Sequence, residues 1–308
     1  AADELVAMAK RDPRIVAVTA AMPLGTAANR FKEKYPKRFF DVGIAEEHAV
    51  TMSAGLAKGG MRPFFFVYST FLQRGYDQVM HDVCMQNLPV VFLLDRAGLG
   101  NEDGQSHQGL FDIAYLRHIP NMTVLAPADS GELADMLHTA VELGTPCAIR
   151  YPKTAVSPNA SYPTRPFMVG RWRTLLAGND ATVLAVGSMV GSALNVAHRL
   201  KEKGISLEVV NASTVKPLDG LCLNRLADKG KPVFTMEEHV IDGGFGSSVL
   251  EYNAQHGRNL QVHALGVEGR YLPQGDHHNL LVDVGLDDET LQKRIAAVIQ
   301  EQGEQHER

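Results

Sequence analysis

A carboxyl side chain set where a strand gives way to a helix is the first feature of this sequence with chemical potential. The run Asp41-Val42-Gly43-Ile44-Ala45-Glu46-Glu47-His48 puts Glu46 at such a junction. Open α/β sheets bind their ligands at the C-terminal ends of parallel strands. Two forces act on Glu46 in opposite senses, because a helix N-terminus favours the anion and burial among apolar groups favours the acid. A carboxyl held between them is suited to sharing a proton with a ligand nitrogen. A glutamate in a first helical turn also complements the helix dipole with no catalytic role. Spacing alone leaves both roles open.

Two further clusters follow at the ends of later strands. In Tyr68-Ser69-Thr70-Phe71-Leu72-Gln73-Arg74, Phe71 can stack on a planar heterocycle, Tyr68 can donate a hydrogen bond and Arg74 can pair with an anion. An aromatic staple and a surface arginine account equally for the same residues. The polar, glycine-rich stretch from Asp95 to Gly109 is too long for a simple connection, and such loops are commonly functional. It carries Arg96, whose planar fork suits a phosphate or carboxylate, together with Asp103 and His107. His107 titrates near neutrality and can move protons, although a histidine in a solvated loop is often only a surface residue. Three clusters at the ends of successive strands favour a shared site more than any one of them does alone.

Short apolar runs alternating with amphipathic segments supply the frame. Strands are predicted at 15–19, 39–42, 63–68, 89–94, 122–125 and 147–151, and helices at 25–34, 45–58, 71–86, 110–118 and 132–143. Strands without internal alternation, separated by helices, indicate a mostly parallel sheet covered on both faces. Four prolines between Tyr151 and Pro166 read as a linker. Beyond it strands at 182–186, 206–211, 233–236 and 261–265 alternate with helices at 190–203, 221–229, 247–255 and 289–300. The expectation is an α/β chain of two tandem domains, residues 1–155 and 168–308, joined by a linker at 156–167.

Composition narrows the function classes. A net charge of -5 spread over 308 residues gives no electrostatic reason to expect nucleic acid or a membrane surface as partner. Cys84, Cys147 and Cys222 form no C-x-x-C pair, which suggests a reducing, cytoplasmic setting. Glu237-Glu238-His239 with Gly243-Gly244-Phe245-Gly246 lacks the spacing of a phosphate loop or a metal ligand set. His277 and His278 read as solvated residues of an extended segment.

Taken in order, Phe40 to Val50, Tyr68 to Arg74, Asp95 to Gly98 with Asp103 to Gly109, Ile119-Pro120, Met122, Pro127 and the Glu237 to Gly246 stretch resemble the 1-deoxy-D-xylulose-5-phosphate synthase family. The last stretch is shared with the wider transketolase group, whereas the central loop is specific to the synthases. The resemblance implies a pyrimidine-binding domain followed by a transketolase C-terminal-like domain. It also implies thiamine diphosphate and Mg²⁺ as cofactors, pyruvate and glyceraldehyde 3-phosphate as substrates, and a homodimer. By motif, Glu46 corresponds to the glutamate that hydrogen-bonds N1′ of the aminopyrimidine and Phe71 to the ring stacked on it. Tyr68, Arg74, Asp103 and His107 line the cavity over the reactive carbon, with His107 an acid/base. Arg96 and Lys153 stand where the family clamps the acceptor phosphate; Lys153 replaces the usual arginine and loses its bidentate fork.

The family's Gly-Asp-Gly to Asn-Asn motif, which holds Mg²⁺ and the diphosphate, does not occur in this sequence. The expectation is therefore a fragment, with the N-terminal domain joined in cis or carried by a companion chain. The alternatives are the β subunit of a 2-oxoacid dehydrogenase, the C-terminal subunit of a split transketolase, and a non-catalytic dimerisation half.

Overall fold

Runs of β-branched and aromatic residues bounded by turns build two sheets in the computed structural model, which describes residues 1–100, 104–153 and 167–306. Asp103 and, but for residue 167, the expected linker lie outside the described residues. In the first half the strands are β1 (Ile15–Thr19), β2 (Phe39–Asp41), β3 (Arg62–Tyr68), β4 (Val91–Asp95), β5 (Thr123–Leu125) and β6 (Cys147–Arg150). In the second they are β7 (Arg173–Leu176), β8 (Ala181–Ala185), β9 (Leu207–Asn211), β10 (Thr214–Lys216), β11 (Val233–Val240) and β12 (Val262–Val267). Both halves are α/β with a mostly parallel sheet flanked by helices, as predicted.

The first sheet runs β10-β5-β6-β4-β3-β1-β2 and the second β12-β11-β8-β9-β7. Strands β1 and β4 and all of the interior of β3 are buried nearly throughout, which is why they read as continuous apolar runs. Two strands escaped prediction, both short edge strands paired antiparallel: β7 against β9 and β10 against β5. Strand β10 comes from the second half yet extends the first sheet, with Thr214 opposite Leu125. The Lys216 ammonium then donates to the Ile119 carbonyl.

Two predicted helices differ in a way that shapes the site. The segment 25–34 becomes a turn followed by a helix at Asn29–Lys34. The single helix expected at 71–86 is instead Ser69–Leu72, a 3₁₀ turn Gln73–Gly75, a short turn Tyr76–Gln78 and a π-helical stretch Val79–Cys84. Gly75 explains the break: a Cβ there would stand 3.0 Å from Val50 Cγ2 and 3.5 Å from the Glu46 carbonyl oxygen. Its bareness lets this backbone lie against the helix Glu46–Lys58.

The two halves are joined by buried polar contacts. The Arg150 guanidinium donates through Nε to Asp112 at 3.1 and 3.0 Å and through Nη2 to the Glu238 carbonyl at 3.2 Å. The Ala114 N–H donates to His239 Nε2 at 3.3 Å, and His239 Nδ1 bonds the Val240 carbonyl at 2.7 Å. Since a carbonyl only accepts, the proton sits on Nδ1 and the ring is neutral; burial pushes its pKa down to about 4. Replacing Asp112 by alanine would leave Arg150 charged, dry and without its partner. Asp112→Ala should cost about 3–5 kcal/mol of unfolding free energy, read as a fall in the urea midpoint at unchanged slope. A loss below 1 kcal/mol would show that water reaches this junction.

Candidate active site

The C-terminal ends of β1, β2 and β3 meet at one edge of the first sheet and enclose a cavity of about 670 Å³. Ala20 to Gly25 after β1, Asp41 and Ile44 after β2, and Tyr68, Phe71 and Arg74 after β3 form its walls, with Glu46 among them. The Asp41 carboxylate ties two of these loops together, accepting from the Ala21 N–H at 2.8 Å and the Gly43 N–H at 3.1 Å. Glu46 begins the helix Glu46–Lys58 and is only 2% exposed. Its carboxylate pairs with Arg74 Nη1 at a long 3.4 Å.

Around this carboxylate the aromatic groups form a continuous set. The Tyr68 and Phe71 rings stack with centroids 5.7 Å apart and planes 22° apart. The Arg74 guanidinium lies 5.0 Å from the Phe71 centroid, and that of Arg96 lies 3.9 Å from the Tyr68 centroid, both within cation–π range. His107 meets Phe71 edge-on at 5.1 Å. Thus Glu46, Arg74, Phe71, Tyr68 and Arg96, drawn from three strand ends, touch in sequence, and His107 joins them at Phe71. Gly25 makes room for this stack, because a Cβ there would fall 1.7 Å from the Tyr68 hydroxyl.

The loop that delivers His107 is closed at its neck by mutual hydrogen bonds between Gly98 and Gly109, 2.8 and 2.9 Å. A Cβ on Gly109 would stand 2.2 Å from the Arg96 carbonyl oxygen, so only glycine permits this closure. At the tip, the Thr70 hydroxyl donates to the Ser106 carbonyl at 2.9 Å and Ser106 Oγ bonds His107 Nδ1 at 3.1 Å. These contacts fix the imidazole against Phe71. Burial, then the nearby Arg96 charge, lower the His107 pKa below the ordinary value, so the ring is neutral near pH 7 and can accept a proton. Burial raises the Asp95 carboxyl to about 6 against the opposing pull of Arg96 and Lys153. Lys153 is exposed, on the Asp95 side of this loop.

Two kinds of contact were not legible in the sequence. Gly25 and Asp41 matter through contacts between separate loops. Glu238 and His277 lie far along the chain. His277 is not solvated: it opens the helix His277–Asp283, is partly buried, and its Nε2 bonds Glu238 at 3.1 Å. His278 is exposed. Glu237 caps the helix Phe245–Gln255, its two oxygens accepting the Phe245 and Gly246 N–H groups at 2.7 Å each. Among the described residues no group of three or more His, Cys, Asp or Glu side chains is placed to hold a metal. No helix among them is long and apolar enough to cross a membrane.

Comparison with known proteins places this geometry. Residues 1–158 match the transketolase pyrimidine-binding domain and residues 170–291 the transketolase C-terminal domain. A 1-deoxy-D-xylulose-5-phosphate synthase of Clostridium tetani is 49% identical over 291 residues, covering 94% of this chain and 47% of the relative. That of Aquifex aeolicus is 47% identical, covering 94% and 46%. The chain thus spans about half the length of these relatives. A solved split-gene transketolase, described as an inactive β4 tetramer, superposes with a TM-score of 0.85 at 30% identity, covering 97% of this chain and 95% of that one. A transketolase from Campylobacter jejuni shares the fold at 19% identity and a TM-score of 0.78. The paired domains, the cleft at the strand ends and these likenesses together show that the chain belongs to the transketolase family and corresponds to the pyrimidine-binding and C-terminal domains of the 1-deoxy-D-xylulose-5-phosphate synthases.

Proposed function

We propose that this chain is the pyrimidine-binding half of a thiamine-diphosphate enzyme that joins pyruvate to glyceraldehyde 3-phosphate with loss of CO₂, giving 1-deoxy-D-xylulose 5-phosphate. One observation carries the reading: a carboxyl that is 2% exposed faces a 670 Å³ cavity beside a stacked aromatic pair. A flat heterocycle with a basic ring nitrogen satisfies both features. The cofactor, when bound, supplies the electron sink that lets a 2-oxo acid lose CO₂ and the remaining two-carbon unit act as a nucleophile.

The residues present fit the pyrimidine end of that cofactor. Glu46, 2% exposed, would hold a proton at the ring nitrogen away from bulk water. Phe71 offers an aromatic face to the ring, and Arg74, half in solvent, keeps Glu46 oriented. His107, neutral and anchored by Ser106 and Thr70, is placed to move a proton at the substrate oxygen. Tyr68, Arg96 and Lys153 complete the substrate side; the two cations answer the acceptor phosphate, Arg96 through its fork and Lys153 as a point charge. The cavity walls offer the diphosphate little, since the only basic side chain among them is Arg74. Mg²⁺ and the diphosphate therefore belong to a second domain, joined in cis or on a companion chain. The near full-length match to a split-gene protein supports a two-chain layout, and the tetramer in that protein's description supports self-association here, with a homodimer as the smallest unit.

Two measurements test this. In the assembled enzyme, fed pyruvate and glyceraldehyde 3-phosphate, Glu46→Ala should lower kcat by about 10²–10⁴-fold; full activity in that variant sinks the assignment. Calorimetry on the isolated chain should detect weak thiamine diphosphate binding that is indifferent to Mg²⁺. Tight, Mg²⁺-dependent binding would show that the chain itself holds the metal and diphosphate.

A further inference from the structure

The loop that carries Arg96 and His107 leaves the first sheet after β4, yet its neck is held by the second domain. Leu99 and Leu110, on either side of the loop, are buried in the second hydrophobic core with Val183, Ala185, Met236 and Val240. The Val240 N–H donates to the Leu110 carbonyl at 3.1 Å. At the centre of this contact stands Glu238, 2% exposed. Its Oε2 accepts the Leu99 N–H at 3.0 Å and bonds His277 Nε2 at 3.1 Å, while its Oε1 accepts the Ser188 hydroxyl at 2.9 Å. Gly98 fits the same contact, because a Cβ there would lie 2.6 Å from Glu238 Oε2, and its φ of +89° suits glycine. A second tie runs through Gln108, which accepts the Gly100 N–H at 2.6 Å and donates to the Pro273 carbonyl at 3.3 Å.

We infer that Glu238, held in place by His277, is a positioning residue that fixes the Arg96–His107 loop over the cofactor cleft from the second domain. A buried carboxylate with three donors is worth keeping only where its donors need a fixed acceptor. Burial alone would raise its pKa, and the hydrogen bond and charge of His277, the Leu99 N–H and Ser188 together bring it below the ordinary value. The carboxylate is therefore charged when the loop is docked. The Leu99 amide is one residue from the Gly98–Gly109 bridge, and Arg96 precedes that bridge by two. Displacement of Leu99 shifts Arg96 and His107 together while leaving Glu46 and Phe71, which hang from other strands, in place. This assignment rests on the proposed role of Arg96 and His107 toward the phosphorylated acceptor.

The first test needs no activity. In the isolated chain, Glu238→Ala should raise hydrogen exchange at the Leu99 amide by about tenfold or more, since a fixed acceptor is removed, with exchange in the helix Glu46–Lys58 unchanged. Glu238→Gln, which keeps an oxygen for the amide, should restore most of the protection. His277→Gln, on the more exposed side of the pair, guards against a variant that fails to fold and should give an intermediate rise. Unchanged protection at Leu99 in folded Glu238→Ala overturns the inference, as does an equal rise across the whole chain. In the assembled enzyme the same variant should raise KM for glyceraldehyde 3-phosphate about tenfold and lower kcat, through Arg96 and His107 respectively, while KM for pyruvate moves less than about threefold. A fall in kcat with KM for glyceraldehyde 3-phosphate unchanged also overturns it. If the unaltered assembly makes no product, the proposed function fails and the exchange result still decides the role of Glu238.

Discussion

At the junction of the two halves lies a guanidinium that is 4% exposed, and much of the geometry around the cleft is referred to it. Arg150 ends β6 in the first sheet, grips Asp112 just beyond the long loop, and reaches the carbonyl of Glu238 in the second sheet. A dry cation is strongly unfavourable without close partners of opposite charge. The conformation that satisfies Arg150 is also the one that sets the helix Asp112–Leu116 and strand β11 at a fixed distance. His239 and Ala114 repeat the link from the other side. Side chains of Glu238 and Asp112 then face the two ends of the same loop, so one buried ion pair registers the cleft against the second domain.

Electrostatic conditions inside the cleft follow from the same economy of solvent. Glu46 is dry, faces one distant guanidinium and opens the first turn of a helix, whose amide dipoles favour the anion. His107 is lowered by burial and by Arg96, while Asp95 is raised by burial. Neighbouring groups whose proton affinities are pushed apart in this way are the common condition of acid–base sites. Cations are not placed at random either: Arg74 and Arg96 lie over the faces of Phe71 and Tyr68. There they brace the rings, Arg74 from within the cavity wall and Arg96 from outside it.

The sequence was most informative about the candidate site where its residues stand at strand ends and least where it depends on contacts between distant segments. Glu46, Phe71 and His107 stand on local patterns, a strand followed by a helix or a long polar loop, and such patterns are visible in a window of ten residues. The fold was legible for the same reason, since buried parallel strands read as apolar runs. Strands β7 and β10 were not, because three or four residues at a sheet edge leave too short a pattern. The helix after β3 broke because Gly75 approaches the Glu46 helix, a fact of packing and not of propensity. Glu238 was visible as a residue but not as a role: the Glu237–His239 run has no ligand-set spacing, and its partners Leu99 and His277 lie 139 and 39 positions away.

That long-range contact bears on why a cleft built on one sheet should come with a second domain at all. A loop of the length of Asp95–Gly109 has considerable conformational entropy, and two glycine hydrogen bonds at its neck cannot suppress it. Packing Leu99 and Leu110 into a foreign core removes about 1.5–3 kcal/mol worth of exposed apolar surface per side chain, an amount comparable with the ordering cost of several residues. The carboxylate of Glu238 then converts a nonspecific apolar contact into a fixed register, because it accepts from one particular amide. Orientation of acid–base and phosphate-binding groups to within a fraction of an ångström requires this kind of directional support. The second domain thus bears on the cleft without lining it: Glu238 and the Pro273 carbonyl hold the neck of the Arg96–His107 loop from outside the first sheet.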